Sequence, residues 1–344
     1  SMRVVHELDR KVWRQFVHTH PHGQVFHTPE MFHVFAQAQG YTPALWAVVD
    51  CYGSLQALFL PVQIALMNGL MRRFTTRAVA YGSVLCAPNA EGEAALRLLL
   101  RAYAEEIGRR ILFTELRNPY DLSHWQPVLD ECGFAYEEHL NFFVDLTRPP
   151  DQIWEDIRSN ARRNVRRARK RQVVVEEISD PARMSSVYAL LKKVYERLQV
   201  PLADLSFFQL AFQVLHPRQM MKVLVAKADG VDLGALMLLM YKDTILYWYT
   251  GTLREYSDYR AGDMLAWHAL AWGSEHGFRV MDFGGAGKPG EDYGVRDFKA
   301  KFKGDLVNYG RNVYVHAPAV LGLSKRLYQA ARHVLYGREE QGEE

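Results

Sequence analysis

Val223-Leu224-Val225-Ala226, a turn at Asp229-Gly230, Gly234-Ala235-Leu236-Met237-Leu238-Leu239 and Ile245-Leu246-Tyr247-Trp248-Tyr249 read as three consecutive strands. A helix from about Asp263 to His276 follows and stops at Gly277, and the strand Val280-Met281-Asp282-Phe283 comes directly after it. Two strands joined through a helix imply a parallel pairing and an α/β layer. The same grammar occurs earlier in the chain. Leu45-Trp46-Ala47-Val48-Val49, a turn through Asp50 to Gly53, and Ala57-Leu58-Phe59-Leu60-Pro61-Val62 read as a hairpin. A helix with Leu96, Leu99, Leu100, Tyr103 and Ile107 on one face ends at Gly108. The strand Ile111-Leu112-Phe113-Thr114-Glu115-Leu116 completes the copy. Hairpin, strand, helix, glycine and strand thus appear twice, which is the mark of a duplicated unit. The fold class is α/β in layered α+β form, with mixed sheets flanked by helices.

The chain has 344 residues, comfortable for two cores. Pro149-Pro150, after Leu146-Thr147-Arg148, places the boundary, giving units over 2–146 and 147–317. A helical pattern from Ala319 to Tyr336 follows the second unit. It is expected to pack back on the first, completing it over 318–336. With 49% hydrophobic and 24% charged residues the composition is globular, not disordered or fibrous. A net charge of +3 confines any polyanion-binding surface to a local patch. Cys51, Cys86 and Cys132 form no CxxC pair, hence neither a disulfide framework nor a zinc site, and a reducing cytoplasm is expected. His18, His20 and His22 lack spaced carboxylate or cysteine partners, and no metal is expected. No signal-peptide core is visible. The longest apolar runs, such as Leu233 to Tyr241, fall short of the roughly 20 residues of a spanning helix. Peripheral contact with a membrane surface stays open.

Three segments carry candidate chemistry. In 158–171, eight of fourteen residues are basic. Arg158, Arg162, Arg166 and Arg169 share one helical face, with Arg163, Arg167 and Lys170 beside it. Like charges at this spacing destabilise a helix, and a partner anion relieves them. The alternative is a solvated face neutralised by acids such as Glu176 and Glu177. The second segment runs from Asp282 through Gly284-Gly285-Ala286-Gly287 to Tyr293, Phe298 and Lys299. It is a strand ending in a glycine-rich loop, where α/β sheets place their sites. It lacks the Gly-Lys-Ser/Thr of a phosphate-binding loop. The third runs from Tyr249 through Arg260-Ala261-Gly262-Asp263 into a helix N-terminus, which suits an anion. No GxSxG and no Cys–His motif suggests a covalent nucleophile.

Together these segments resemble the FemABX family and its relatives with a duplicated GNAT acyltransferase fold. Val25-Phe26-His27-Thr28-Pro29-Glu30-Met31-Phe32 followed by Gly40-Tyr41-Thr42-Pro43 is similar to the family's opening helix. Asn160, Arg163, Val165, Arg166, Ala168 and Lys170 fit its basic helix. Met281-Asp282-Phe283-Gly284-Gly285 and Gly294-Val295-Arg296-Asp297-Phe298-Lys299-Ala300-Lys301-Phe302-Lys303-Gly304 resemble its strand-end and signature motifs. The resemblance implies transfer of an aminoacyl or acyl group onto an amine of a peptidoglycan or other cell-envelope precursor. Aminoacyl-tRNA or acyl-CoA would be the co-substrate, with no tightly bound cofactor. It implies Lys299 at the oxyanion and Asp282 orienting the acceptor amine or acting structurally. Substrate contacts would come from Tyr81, Arg158, Asn160, Arg163, Arg166, Tyr249, Arg260, Tyr293 and Phe298.

The pattern departs in three places. The long helical hairpin of tRNA-binding members is not apparent, Asp305 replaces a glycine after Gly304, and Arg260-Ala261-Gly262 is a degenerate pyrophosphate loop. The donor therefore stays open. Two other readings remain: an acyl-CoA-dependent N-acyltransferase on a sugar amine or small molecule, and a non-catalytic nucleic-acid-binding protein using 158–171.

Overall fold

The structure is a computed structural model that describes residues 1–65 and 72–321. Ser1–Glu138, with a return from Tyr309 onward, forms one compact unit, and His139–Asn308 forms another. In the first unit the chain runs β1 (Arg3–Val5), α1 (Arg10–Thr19), α2 (Pro29–Gln37), β2 (Tyr41–Pro43), β3 (Trp46–Val49), β4 (Leu55–Phe59), β5 (Val62–Ala65), α3 (Arg72–Thr75), β6 (Thr76–Ala80), β7 (Val84–Cys86), α4 (Ala90–Ile107), β8 (Phe113–Arg117), α5 (Gln126–Glu131) and β9 (Ala135–Glu137). The second holds β10 (Asn141–Asp145), α6 (Pro150–Asp156), α7 (Ser159–Lys170), β11 (Val174–Glu177), α8 (Met184–Leu198), α9 (Leu205–Leu215), β12 (Met221–Ala228), β13 (Val231–Tyr241), β14 (Thr244–Thr252), α10 (Ala261–Glu275), β15 (Val280–Gly285), α11 (Gly294–Ala300) and β16 (Asp305–Val307). The chain then adds β17 (Arg311–Val315) and α12 (Pro318–Leu321).

Local chemistry sets these elements. Thr28 caps α2, its Oγ1 accepting from the Met31 N–H at 3.2 Å, and Pro29 fills the first helical position. The β12–β13 turn places Asp229 and Gly230 both at positive φ, the geometry of a two-residue hairpin. In both units a helix crosses between two parallel strands. α4 joins β7 to β8, which lies parallel to β6 with Ala78 opposite Thr114. α10 joins β14 to β15, with Thr244 opposite Val280. The second unit is one seven-stranded sheet in the order β11-β12-β13-β14-β15-β10-β16. Its core centres on α10, whose Leu265, Ala266, Ala269 and Leu270 are fully buried. α10 comes so close to the sheet at Gly273 that a Cβ there would lie 2.7 Å from Ile245 and 2.9 Å from Leu146.

Three expectations need correction. The run Ala57–Val62 is not one strand. Pro61 lacks the N–H to continue a ladder, so β4 stays in a four-stranded sheet and β5 enters a six-stranded one. The boundary falls at Glu138/His139 rather than at 146/147, because β10 pairs with β15 and β16 of the second sheet. The second unit likewise ends at Asn308 rather than 317, because β17 pairs with β8 and β9. What ties the chain's return to the first unit is therefore a strand. Most of the helix expected over 318–336 lies outside the described residues, which reach only α12.

Just past β17, His316 is buried among aromatic rings. Its Nε2 meets Thr114 Oγ1 at 2.7 Å, and that hydroxyl meets the Tyr103 hydroxyl at 2.6 Å. Burial pushes the His316 pKa down from 6.5 to about 4, only partly offset by a backbone contact at Gly108. The unfolded chain thus takes up a proton that the folded chain refuses. The stability gained from the neutral ring is present above pH 6.5 and is lost as pH falls towards 4, on the order of 3 kcal/mol in all. Urea unfolding between those pH values should show that slope, and His316→Gln should flatten it. An equally steep slope in the variant would assign the acid sensitivity elsewhere.

Candidate active site

The parallel pairing of β14 and β15 spans three residue pairs and ends at Leu246 opposite Asp282. β14 continues to Thr252 and β15 to Gly285, and among the described residues no further pairing joins them. The carboxyl end of β15 is therefore bordered on one side by a strand that has parted from it. Asp282 stands at that parting and is buried. Its Oδ1 accepts from the Gly284 N–H at 3.0 Å and from Asn141 Nδ2 at 3.1 Å. Gly284 has φ +87°, a backbone state that favours glycine, and it turns the chain into the 286–293 loop.

Arg296, in the first turn of α11, organises that loop. Its guanidinium donates to the carbonyls of Ala286 at 2.7 Å, Glu291 at 3.0 Å and Lys288 at 2.5 Å. One turn on, Lys299 is wholly buried and its Nζ donates to the Gly285 carbonyl at 2.9 Å. Phe302 stacks on Phe283, which stacks on Tyr247 of β14. The Phe-Lys-x-x-Phe spacing thus seats Phe302 in the core and packs Phe298 against it, while the lysine between them reaches the end of β15. Lys301 turns towards α10. Its Nζ donates to Asp263 Oδ1 at 2.5 Å and lies 4.6 Å from the Phe298 ring centroid. The positive end of the helix dipole favours Asp263 at the start of α10.

α7 buries only Ala161, Val165 and Ala168. Arg163, Arg166, Arg167, Arg169 and Lys170 are exposed, and of these only Arg167 has a carboxylate within 4.0 Å, Asp258 at 3.5 Å, among the described residues. Arg166 and Arg169 lie 5.4 and 5.3 Å from the Trp154 ring centroid. Arg171 lies over Tyr259, whose hydroxyl donates to Asp229, a bond that raises the phenol pKa. The solvated-face alternative is thus not met by neutralising acids along α7: Glu176 pairs with Arg183 and Lys227, and Glu177 with Lys222.

The structure brings together some of the residues singled out from sequence. Asp282 and Lys299 meet at Gly284 and Gly285. The Arg158 N–H donates to the Lys301 carbonyl at 2.9 Å. A Cβ at Gly262, two residues after Arg260, would lie 3.8 Å from Phe298. Tyr293 borders Gly287, and Asn160 turns its Oδ1 to the Ala161 N–H. Arg163 and Arg166 lie further along α7. Tyr249 packs edge-on against Phe208 of α9 and beside Tyr195 of α8. Tyr81 belongs to the first unit, stacked on Phe35 and Phe26 and lining a shallow dent with Phe32, Pro43, Leu60 and Val62. Sequence reasoning missed Asn141, Asn164, Asp263, Arg296 and Lys301. The signal available for Asp263 was a carboxylate in the first turn of an otherwise apolar helix.

Residues 155–300 match the acetyltransferase (GNAT) domain family. No curated protein matches the sequence. Among solved structures, FemX superposes with a TM-score of 0.72 at 16% identity, over 94% of this chain and 100% of that one. A tandem GNAT protein from the clavulanic acid biosynthesis pathway gives 0.58 at 13% identity, over 92% and 99%. L-PGS from Bacillus licheniformis gives 0.57 at 14% identity, over 90% and 97%. The second unit thus carries a GNAT-type domain. The chain as a whole shares its fold with FemX and with the tandem GNAT protein.

Arg296→Lys puts one ammonium where a planar fork reaches three carbonyls. Amide hydrogen exchange across 286–293 should quicken by about tenfold while the β12–β13 amides keep their protection. Unchanged loop exchange would show that the guanidinium does not hold the loop.

Proposed function

We propose that the chain forms an amide bond by transferring an aminoacyl or acyl group onto an acceptor amine at the end of β15. The observation that carries this reading is the GNAT-type domain over 155–300, with its two parallel strands parting at Leu246 and Asp282. The amine nitrogen attacks the carbonyl carbon of an ester or thioester. The C–N bond forms, the C–O or C–S bond breaks, and the amine proton leaves to solvent or to the departing group. Holding both reactants in line supplies much of the acceleration, so no enzyme nucleophile is required. Lys299 is given the oxyanion, as a fixed cation beside the last carbonyl of β15. Asp282 is given the acceptor amine, as a carboxylate already oriented by Gly284 and Asn141.

The exposed cations of α7 support a polyanionic donor, aminoacyl-tRNA, with Arg158, Arg163 and Arg166 on its phosphates. Arg260, at the start of α10, supports the alternative donor, acyl-CoA, through its pyrophosphate. The acceptor would be an amine-bearing cell-envelope precursor or a small molecule. The α7 face also favours a second reading, RNA binding without catalysis. Among the described residues no helix is long and apolar enough to cross a membrane.

Lys299→Ala tests the assignment. Turnover should fall by about a hundredfold or more while acceptor affinity changes little, the signature of a group acting on the transition state. Circular dichroism checks that the variant is folded. Unchanged turnover would remove Lys299 from the chemistry. RNA affinity that persists in both proteins, with no transfer from either donor class, would favour the non-catalytic reading.

A further inference from the structure

One buried carboxylate joins the elements that carry the candidate donor and oxyanion groups. Asp263 is nearly enclosed, with a side chain 5% exposed. Its Oδ1 accepts from Lys301 Nζ at 2.5 Å, and its Oδ2 accepts from the same ammonium at 3.2 Å and from Asn164 Nδ2 at 2.7 Å. Asn164 lies on the basic helix α7, Asp263 on α10 beside Arg260, and Lys301 just past α11, two residues after Lys299. The backbone closes the circuit, because the Arg158 N–H that begins α7 donates to the Lys301 carbonyl at 2.9 Å.

α10 is held in the core, but α7 and α11 have less to place them on their own. α11 has seven residues, below the length at which a helix holds in water. α7 buries two alanines and a valine, and its like charges repel. Arg296 donates to carbonyls of its own loop, Lys299 donates to the end of β15, and Phe302 packs on Phe283. Lys301 makes an ion pair from this segment to α10, and a buried pair broken on one side leaves a stranded charge.

We infer that Asp263 is a positioning residue: through Lys301 and Asn164 it fixes the Lys299-bearing helix and the arginine-bearing helix relative to each other, coupling donor binding on α7 to the placement of Lys299. This rests on the amide-transfer reading for its kinetic consequence, whereas the structural coupling is testable without it. Asp263→Asn keeps the size and removes the charge. Lys301→Met keeps the stem and removes the ammonium.

Hydrogen exchange is measured on the full chain for wild type, both single variants and the double variant, at a temperature where circular dichroism shows each folded. Exchange should quicken by about tenfold in both 159–170 and 294–302 in each single variant. The double variant should be no worse than the worse single, because both remove one contact. Where Asp263→Asn fails to fold, Asp263→Glu, which moves the charge by one methylene, takes its place with the same expectation. Unchanged protection in either segment, or additive effects, would overturn the coupling. The kinetic arm uses whichever of aminoacyl-tRNA and acyl-CoA supports transfer by wild type. The turnover number should fall by about tenfold or more with the acceptor KM within about twofold, and Lys301→Arg should restore part of it. Coupled exchange with no transfer by wild type from either donor would leave the positioning intact and count against the amide-transfer reading instead.

Discussion

Two neighbouring strands that run parallel cannot be closed by a tight turn. The chain must cross back over the sheet, and here α10 is that crossing. The constraint fixes much of the second unit at once. It makes α10 apolar on nearly every side, because one face meets the sheet and others meet α6 and α7. It brings the N-terminus of α10 to the carboxyl end of β14, so Arg260 and Asp263 stand close in sequence to Thr252. It also delivers β15 with its own carboxyl end at the same edge. The three-pair register then leaves β14 and β15 free to part just where Asp282 lies. Short strands, one crossing helix and one glycine turn therefore place a carboxylate, a buried ammonium and a helix start in one region.

The electrostatics of that region are divided between buried and exposed charge. Lys299, Asp263 and Lys301 sit inside, each held by partners at hydrogen-bond distance. Their placement is costly to disturb, because an unpaired buried charge is far more expensive than an exposed one. The arginines of α7 sit outside, mostly without carboxylates. Their mutual repulsion is modest and is screened by salt. A polyanion arriving there gains several contacts and relieves the repulsion. The interior charges suit fixed geometry, and the exterior ones form a cationic face open to solvent.

Much of this was legible in the sequence. The duplicated order of hairpin, strand, helix, glycine and strand is written in hydrophobic periodicity and glycine stops, both local signals. The 158–171 run marked α7. The packed pair α8 and α9 went unassigned. The boundaries were missed because partners, not propensity, decided them: β10 looks like the tail of the first unit until β15 and β16 claim it. The run around Leu60 looked like one strand because Pro61 breaks a ladder without breaking an apolar pattern. The site was legible only as separate segments. That Lys301 and Asn164 converge on Asp263 is a long-range fact, with no trace in the spacing of any one segment. Nor does sequence spacing show that Lys299 turns inward to the Gly285 carbonyl rather than outward to solvent.

The proposed chemistry is amide-bond formation. The most direct measurement is mass spectrometry of amine-bearing acceptor pools incubated with the protein and either charged tRNA or acyl-CoA. An acceptor whose mass rises by one aminoacyl or acyl residue with one of the donors is expected, with loss of that product in Lys299→Ala. An acceptor pool unchanged in mass with every donor, from folded wild-type protein, would contradict it.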